Sequence, residues 1–386
     1  MSIENIINET KAYYCLECGK CTGSCPISRV NKDYSPRMTV ERALLGFDKE
    51  LLADKGLWSC MTCNICNDVC PSNVDYTRFI RYARADALKT GYTGTCTHGG
   101  VLSSLMRIMG NPNLKQDRLR WVSEDLKLSE KGDILYFTGC LPYFETIFRD
   151  IGVNSLDTAR SAVKIFNSIG IKPVVMPDER CCGHDLLWTG DLENFERIAK
   201  LNVDLIEQTG AKKVLFSCPE CYRTFKLDYP EYVDVKFELA HISEFLVEKI
   251  DEGKIAFGRL EEDVTYQDPC RLGRHLGVYD PPRKVIGSIP GIRLIEMENS
   301  RERSICCGTS TWNNCDRFSE QIQMGRLKEA KEAADTLITA CPKCQIHLSC
   351  AMKGKIPIDG VGIKDFTVIK DFSVLVASAM GLGDNP

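Results

Sequence analysis

The chain has 386 residues, enough for two or three domains of roughly 150 residues each. It is 44% hydrophobic and 26% charged, which suits a globular protein with more than one core, and its net charge of −4 leaves no basic surplus for nucleic acid or a membrane surface. The start, MSIENIINET, lacks the charged and apolar regions of a secretory signal, and the stretches Val101–Met109 and Phe372–Leu382 fall short of the roughly 18 apolar residues of a spanning helix. The expected location is therefore the cytoplasm, free or held at the inner membrane face by a partner. The outlying number is 21 cysteines, an odd count in a chain with no export signal, which points to metal or redox chemistry rather than disulfides.

In chain order, Cys15, Cys18, Cys21 and Cys25 form C-x-x-C-x-x-C-x-x-x-C before Pro26, and Cys60, Cys63, Cys66 and Cys70 repeat it before Pro71. This is the bacterial ferredoxin run, met twice. Three thiolates two residues apart wrap one face of a 4Fe–4S cube, and the fourth points toward the other cube. The spacing assigns Cys15, Cys18, Cys21 and Cys70 to one cubane, and Cys60, Cys63, Cys66 and Cys25 to the other. Zinc knuckles would leave the third member of each run idle.

The segment between the runs is too long for the loop of a small ferredoxin. Pro36 opens a helix through RMTVERALLGF, and Phe79–Leu88 reads as a second helix. Residues 1–90 thus resemble the all-helical ferredoxin domain of respiratory iron–sulfur subunits and of the small heterodisulfide reductase subunit. Arg78, Arg81 and Arg84 read as a solvated face rather than a docking surface. A turn-rich, polar connector follows over 91–132, in which Cys96 and His98 are too few for a metal site and read as structural.

The remainder is duplicated. Cys140, Cys181, Cys182, Cys218 and Cys221 form C-x40-C-C-G-x34-C-x-x-C, and Cys270, Cys306, Cys307, Cys341 and Cys344 form C-x35-C-C-G-x32-C-x-x-C. The near-constant offset, 123 to 130 residues, marks two modules, 133–255 and 256–386. In the first, DILYFTGC, KPVVMP and KKVLFSC read as strands, with helices in LDTARSAVKIFNSIG and ENFERIAKLNVDLIEQTG between them. In the second, VTYQDPC, IRLIEME and DTLITAC are the matching strands. Alternating strands and helices predict mainly parallel sheets covered by helices, with ligands gathered at the carboxyl ends of the strands. Cys140, Cys218, Cys270 and Cys341 each follow such an apolar run. The expected fold class is an all-helical ferredoxin domain followed by two α/β domains.

Five sulfurs exceed the needs of a cubane. Adjacent cysteines suit an opened cluster in which a thiolate bridges two irons, whereas two zinc sites would each leave a cysteine spare. Gly183 and Gly308 follow the pairs, where close backbone approach or positive φ favours glycine. The arrangement resembles the duplicated Cys-Cys-Gly domain of the heterodisulfide reductase catalytic subunit, and the whole order resembles its D-type fusion. The resemblance implies a noncubane 4Fe–4S cluster on each set of five cysteines. It also implies an enzyme subunit that reduces or forms a disulfide with electrons passed through the cubanes. The family's glycine run after the second Cys-Cys-Gly is here Thr309-Ser310-Thr311-Trp312-Asn313-Asn314-Cys315, so the substrate of the methanogen enzymes is not carried over.

His184 and His275 are candidate proton donors to a leaving thiolate, or hydrogen-bond donors to cluster sulfur. Arg271 and Arg274 either hold an anionic substrate or offset cluster charge. Cys315 either reaches the cluster or is a buried apolar thiol. His241 and His347 read as structural, and Cys350 has no assigned role. Nucleotide fingerprints are absent, so no flavin or nicotinamide is expected in this chain. Electrons are expected from a protein in a hetero-oligomeric complex: a flavin-containing bifurcating subunit, an electron-transfer flavoprotein or a membrane cytochrome b. A small disulfide or thiol is the candidate substrate, and nucleic acid is not a partner. The alternative is a conduit between a flavoprotein and a membrane quinone partner.

Overall fold

The structure is a computed structural model that describes residues 1–95, 97–353 and 368–383. Cys96 lies outside the described residues. Two compact units divide the chain, and neither is contiguous: one joins Met1–Gly110, Gly183–Arg197 and Ile305–Gln323, and the other holds Asn111–Cys182, Ile198–Ser304 and Met324–Pro386.

Among the described residues of the first unit, the regular elements are all helices. The helix expected after Ser35 runs over Pro36–Leu44, with proline at its first turn and the Ser35 hydroxyl accepting from Met38 N at 3.3 Å. The second expected helix is longer, Tyr76–Lys89, because Asp75 caps it through Arg78 N at 3.0 Å. Its arginines depart from the solvated face read from sequence. Arg81 and Arg84 are buried, since Trp188 and Trp58 close over them and the Arg84 guanidinium finds carbonyl acceptors.

The second unit holds both sheets, and every pairing is parallel. Strands β1 (Ile134–Phe137), β2 (Lys213–Phe216) and β3 (Glu238–His241) form one sheet in the order β1-β2-β3. Strands β4 (Glu262–Gln267), β5 (Ile292–Leu294), β6 (Thr336–Thr339) and β7 (Val368–Asp371) form the other, in the order β5-β4-β6-β7. The apolar runs ILYF and KVLF are buried along most of their length, as strands covered on both faces require. KPVVMP, expected as a strand, supplies only isolated parallel bridges from Val174, to Leu135 and to Ser129, at the edge where β5 lies in the other copy. Pro173 and Pro177 flank it and have no N–H for a longer ladder.

The copies pack reciprocally. Helix Ser155–Ser168, between β1 and β2, lies on Phe372–Ala379, which follows β7; helix Asp280–Gly287, between β4 and β5, lies on Ile242–Asp251, which follows β3. Exchanging the copies reproduces the pattern, which is a pseudo-twofold relation. The edge strands β3 and β7 were not legible from hydrophobic pattern, being polar and four residues long. Each ends in a helix cap at equivalent positions: His241 accepts from Ser243 N at 3.2 Å, and Asp371 accepts from Ser373 N at 2.8 Å.

Candidate metal centres

The two ferredoxin runs share one backbone form. Glu17 and Thr62 are left-handed at φ 51° and 48°, and Gly19 and Asn64 follow at φ 75° and 73°. These turns wind each loop back on itself, so that the short helices Lys20–Ser24 and Ile65–Asp68 present Cys21 and Cys66. Left-handed conformation costs a non-glycine residue roughly 1–2 kcal/mol, and here it occurs at the same place in both loops.

Cys15, Cys18, Cys21 and Cys70 line one cavity of about 30 Å³, with Cys66 on its wall and Leu16, Pro36 and Val40 around it. Cys25 faces elsewhere. Burial pushes its thiol up to about 12, with Cys63 and Cys60 among the neighbours that raise it. Cys66 is also raised by burial, with Cys60, Cys63 and Cys25 acting on it. Cys18 is exposed and Cys15 and Cys21 are half-buried, whereas Cys60, Cys63 and Cys66 are buried. Backbone donors already point at sulfur: Thr62 N lies 3.3 Å from Cys60 Sγ, and Val74 N lies 3.4 Å from Cys70 Sγ. Arg84 holds the inner loop, donating to Leu57 O at 2.9 Å, Cys60 O at 2.7 Å and Trp188 O at 2.8 Å.

In the first Cys-Cys-Gly copy, all five cysteines belong to the sheet-bearing unit. Cys140 follows β1 and Cys218 follows β2, each starting a short helix. Cys140 Sγ lies 3.2 Å from Cys181 Sγ, Cys182 is hydrogen-bonded to Cys221, and Cys221 to Cys218. Gly139 is left-handed at φ +61°, and a Cβ there would come within 3.1 Å of Cys221 Sγ. Hydrogen bonds from Cys221 and Cys341 hold Cys218 well below the usual thiol value. Cys182, Cys221 and Cys341 are raised well above it, chiefly by hydrogen bonds to their neighbouring sulfurs. Such a packed set cannot ionise together without a cationic group among its sulfurs. Five soft donors, three buried and two half-buried, fit a thiolate-ligated iron centre, and exceed the four ligands of a structural zinc.

Three residues missed in the sequence hold this loop system. Glu179 is fully buried and accepts from Thr138 N at 3.1 Å, Thr138 Oγ1 at 2.9 Å, Gly139 N at 2.6 Å and Arg118 Nη2 at 3.1 Å. Burial nonetheless raises its carboxyl to about 7, against the lowering pull of Arg118 and the donors. Asn202 Nδ2 donates to Cys181 O at 2.9 Å, and Tyr229 OH donates to Cys182 O at 3.1 Å. Only the tertiary fold brings these groups to the cysteines.

In the second copy, Cys270 follows β4, and Cys341 and Cys344 lie at the start of the helix Pro342–Lys353 after β6. Cys306 and Cys307 are buried and belong to the helical unit. His184 is buried, its Nδ1 2.8 Å from Asp185 Oδ1, and Asp185 Oδ2 accepts from Trp312 Nε1 at 3.1 Å. Trp312 itself is buried and left-handed at φ 58°. His275 is half-buried, with Nε2 2.7 Å from Arg271 Nη1, and Arg274 donates to Ser304 O. Cys315 departs from the reading as a buried thiol: the loop leaves it exposed, as is Cys350. His241 and His347 are buried in the packing of the second unit.

Residues 11–74 match the 4Fe-4S dicluster domain, and residues 134–226 and 264–349 each match the cysteine-rich domain. The chain is 33% identical to the D-type subunit of dihydromethanophenazine:CoB–CoM heterodisulfide reductase from Methanosarcina barkeri, over 95% of this chain and 94% of that protein. It is 36% identical to the protein of the same name from Methanosarcina acetivorans, over 84% of this chain and 78% of that protein. Among solved structures, a hypothetical protein from Helicobacter pylori shares the fold. The TM-score is 0.54 at 11% identity, over 99% of this chain and 72% of that one.

Proposed function

Starting from the fact that the chain belongs to the D-type heterodisulfide reductase family of iron–sulfur oxidoreductases, we propose that it exchanges electrons between a redox protein and a small disulfide. Cys15, Cys18, Cys21 and Cys70 would hold an outer cubane, and Cys60, Cys63, Cys66 and Cys25 an inner one. Cys140, Cys181, Cys182, Cys218 and Cys221 would hold one noncubane 4Fe–4S cluster, and Cys270, Cys306, Cys307, Cys341 and Cys344 the other. When bound, these clusters would supply one-electron carriers that match the two electrons of a disulfide couple.

The chain's residues do the rest. Exposure of Cys18 against burial of Cys60, Cys63 and Cys66 makes the outer cubane the port for a partner and shields the inner one from water. Disulfide cleavage takes two electrons and two protons to give two thiols. His184, oriented by Asp185, and His275, beside Arg271, are the proposed proton donors. The partner would be a bifurcating flavin subunit, an electron-transfer flavoprotein or a membrane cytochrome b. Among the described residues no helix is long and apolar enough to cross a membrane.

The observation that carries the reading is the first copy's set of five cysteines, gathered with Cys218 hydrogen-bonded to Cys341 of the other copy. Anaerobic metal analysis tests it: about sixteen irons per chain and no zinc are expected for four 4Fe–4S clusters. About eight irons with one or two zincs would leave a ferredoxin with a structural tail. A second reading, a conduit without disulfide chemistry, is favoured by Trp312, which is buried in the loop that follows the second Cys-Cys-Gly. Turnover of small disulfides with reduced viologen supports the enzyme; inactivity with several disulfides, while a flavoprotein still reduces the clusters, supports the conduit.

A further inference from the structure

Inside the helical unit lies a pocket of about 110 Å³ whose lining comes from three cysteine-bearing stretches of chain. Trp58 stands two residues before Cys60, Asp185 three after Cys182, and Asn313 six after Cys307. Helix Val101–Met109 closes another side with Ser103 and Met106. Through Asp185 the pocket adjoins His184, whose Nδ1 is 2.8 Å from Asp185 Oδ1.

The wall has two characters. Trp58, Leu88, Met106 and Leu186 make one part apolar. Gly94 lets the chain close over the Trp58 ring, because a Cβ there would come within 2.8 Å of it. The charged groups of the wall are already matched. Asp185 is held by His184 and by Trp312 Nε1 at 3.1 Å, and Asp191 Oδ2 accepts from Arg107 Nε at 2.7 Å. What remains for a guest is neutral. Among the described residues, the hydroxyls of Thr93 and Ser103 have no partner within the protein, and the Asn313 side chain uses only its Nδ2, toward Thr311 Oγ1 at 3.3 Å. Size sets a further limit: an apolar cavity of about 150 Å³ takes benzene, so this one suits roughly four or five non-hydrogen atoms.

We propose that this pocket seats the organic arm of the disulfide substrate, and that the arm is compact and uncharged with one hydrogen-bonding end. This rests on the reading above that the chain exchanges electrons with a small disulfide. The apolar part of the wall takes the methylenes of the arm, and Thr93 and Ser103 take its polar end. A charged end would lose hydration and meet only Arg107 and Asp191, which neutralise each other.

The test measures binding and turnover separately on the full anaerobic chain. Titration calorimetry without reductant, at pH 6 where exposed thiols exchange slowly, compares three disulfides of matched arm length: hydroxyethyl disulfide, cationic cystamine and anionic dithiodiglycolate. The neutral compound should bind at least about tenfold more tightly than either charged one. Ser103→Phe fills the pocket and should weaken that binding by about tenfold or more. Ser103→Ala removes only the hydroxyl and should weaken it about threefold to tenfold, and it serves if the larger side chain does not fold. With reduced viologen, KM for hydroxyethyl disulfide should rise in parallel. Equal or tighter binding of a charged disulfide, no binding of the neutral one to wild type, or undiminished binding by folded Ser103→Phe protein overturns the pocket assignment and leaves disulfide turnover to be judged by itself. Binding as stated with no turnover, while a flavoprotein still reduces the clusters, overturns instead the enzyme reading, and with it the arm's role as substrate.

Discussion

Replacing Glu179 by alanine should destabilise the sheet-bearing unit by about 3–5 kcal/mol, the usual cost of breaking a buried ion pair from one side. Glu179 accepts from four donors: Thr138 N, Thr138 Oγ1, Gly139 N and Arg118 Nη2, all within 3.1 Å. Alanine leaves the Arg118 guanidinium with its charge uncompensated in a site where 2% of its side chain is exposed. It also cuts the tie between the Cys140 turn and the loop entering Cys181. Against a typical domain stability of about 5–15 kcal/mol, the loss is large. Glu179→Gln keeps one acceptor oxygen but loses the charge, and should cost about 2–3 kcal/mol. Adding Arg118→Met to Glu179→Gln removes the stranded cation and should recover part of that. The assay is anaerobic denaturant unfolding followed by near-ultraviolet circular dichroism at pH 8, where a carboxyl near 7 is ionised. Iron retained per chain is measured alongside, and should fall by about four with Glu179→Ala if the first copy's cluster is lost. An alanine variant within about 1 kcal/mol of wild type would refute the argument, since a surface substitution changes stability by less than that.

Four other outcomes follow from the geometry. Burial pushes Asp371 up to about 7, so it is protonated in the folded chain and ionised in the unfolded one from about pH 4 to 7. Its stabilising contribution is whole below about pH 4 and is lost as pH rises through 7, up to about 4 kcal/mol by linkage. Asp371→Asn keeps the cap on Ser373 without the charge, so its stability relative to wild type should rise between pH 5 and 8; a relative stability that falls would contradict the sign. His241, pulled down to about 4 by burial, works in the other direction and cancels in that comparison. Cys25→Ser should disturb the spectrum of the centre proposed on Cys60, Cys63 and Cys66; a change confined to the centre proposed on Cys15, Cys18 and Cys21 would show that the crossing is wrong. Arg84→Met should lower the midpoint of the cubane proposed on Cys60, Cys63, Cys66 and Cys25 and weaken the fold, while Arg84→Lys keeps the midpoint near wild type, as read by redox titration. Cys182→Ala and Cys307→Ala should each abolish disulfide turnover with the cubanes still reducible; a folded Cys182→Ala protein with normal turnover would leave the first copy a structural partner.

The ferredoxin region and the duplicated cysteine-rich domains were legible from the sequence. The ferredoxin runs show in a linear sequence because the first three thiols of each are only three positions apart, close enough for one loop to present them together. The duplication shows because five cysteines recur at near-constant offset. The parallel α/β reading held because ILYF, KVLF and TLIT are short apolar runs between amphipathic helices. Less legible were β3 and β7, whose backbones complete sheets without an apolar pattern. KPVVMP had the right pattern and the wrong backbone, since its prolines cannot extend a ladder.

The amino-acid order by itself determined the cysteine sets, the two repeats and the class of fold. Tertiary structure decided which charges are buried and what they act on. The Arg84 guanidinium reads as solvated until Leu57, Cys60 and Trp188 supply its acceptors. Glu179 reads as one acid in a polar loop until Thr138, Gly139 and Arg118 surround it. Glu220 and Lys343 lie 123 residues apart and become partners only through the pseudo-twofold packing. The physical reason is range: a thiol run acts over a few bonds of chain. A buried charge is defined by every group that displaces water from it, and those groups come from distant segments.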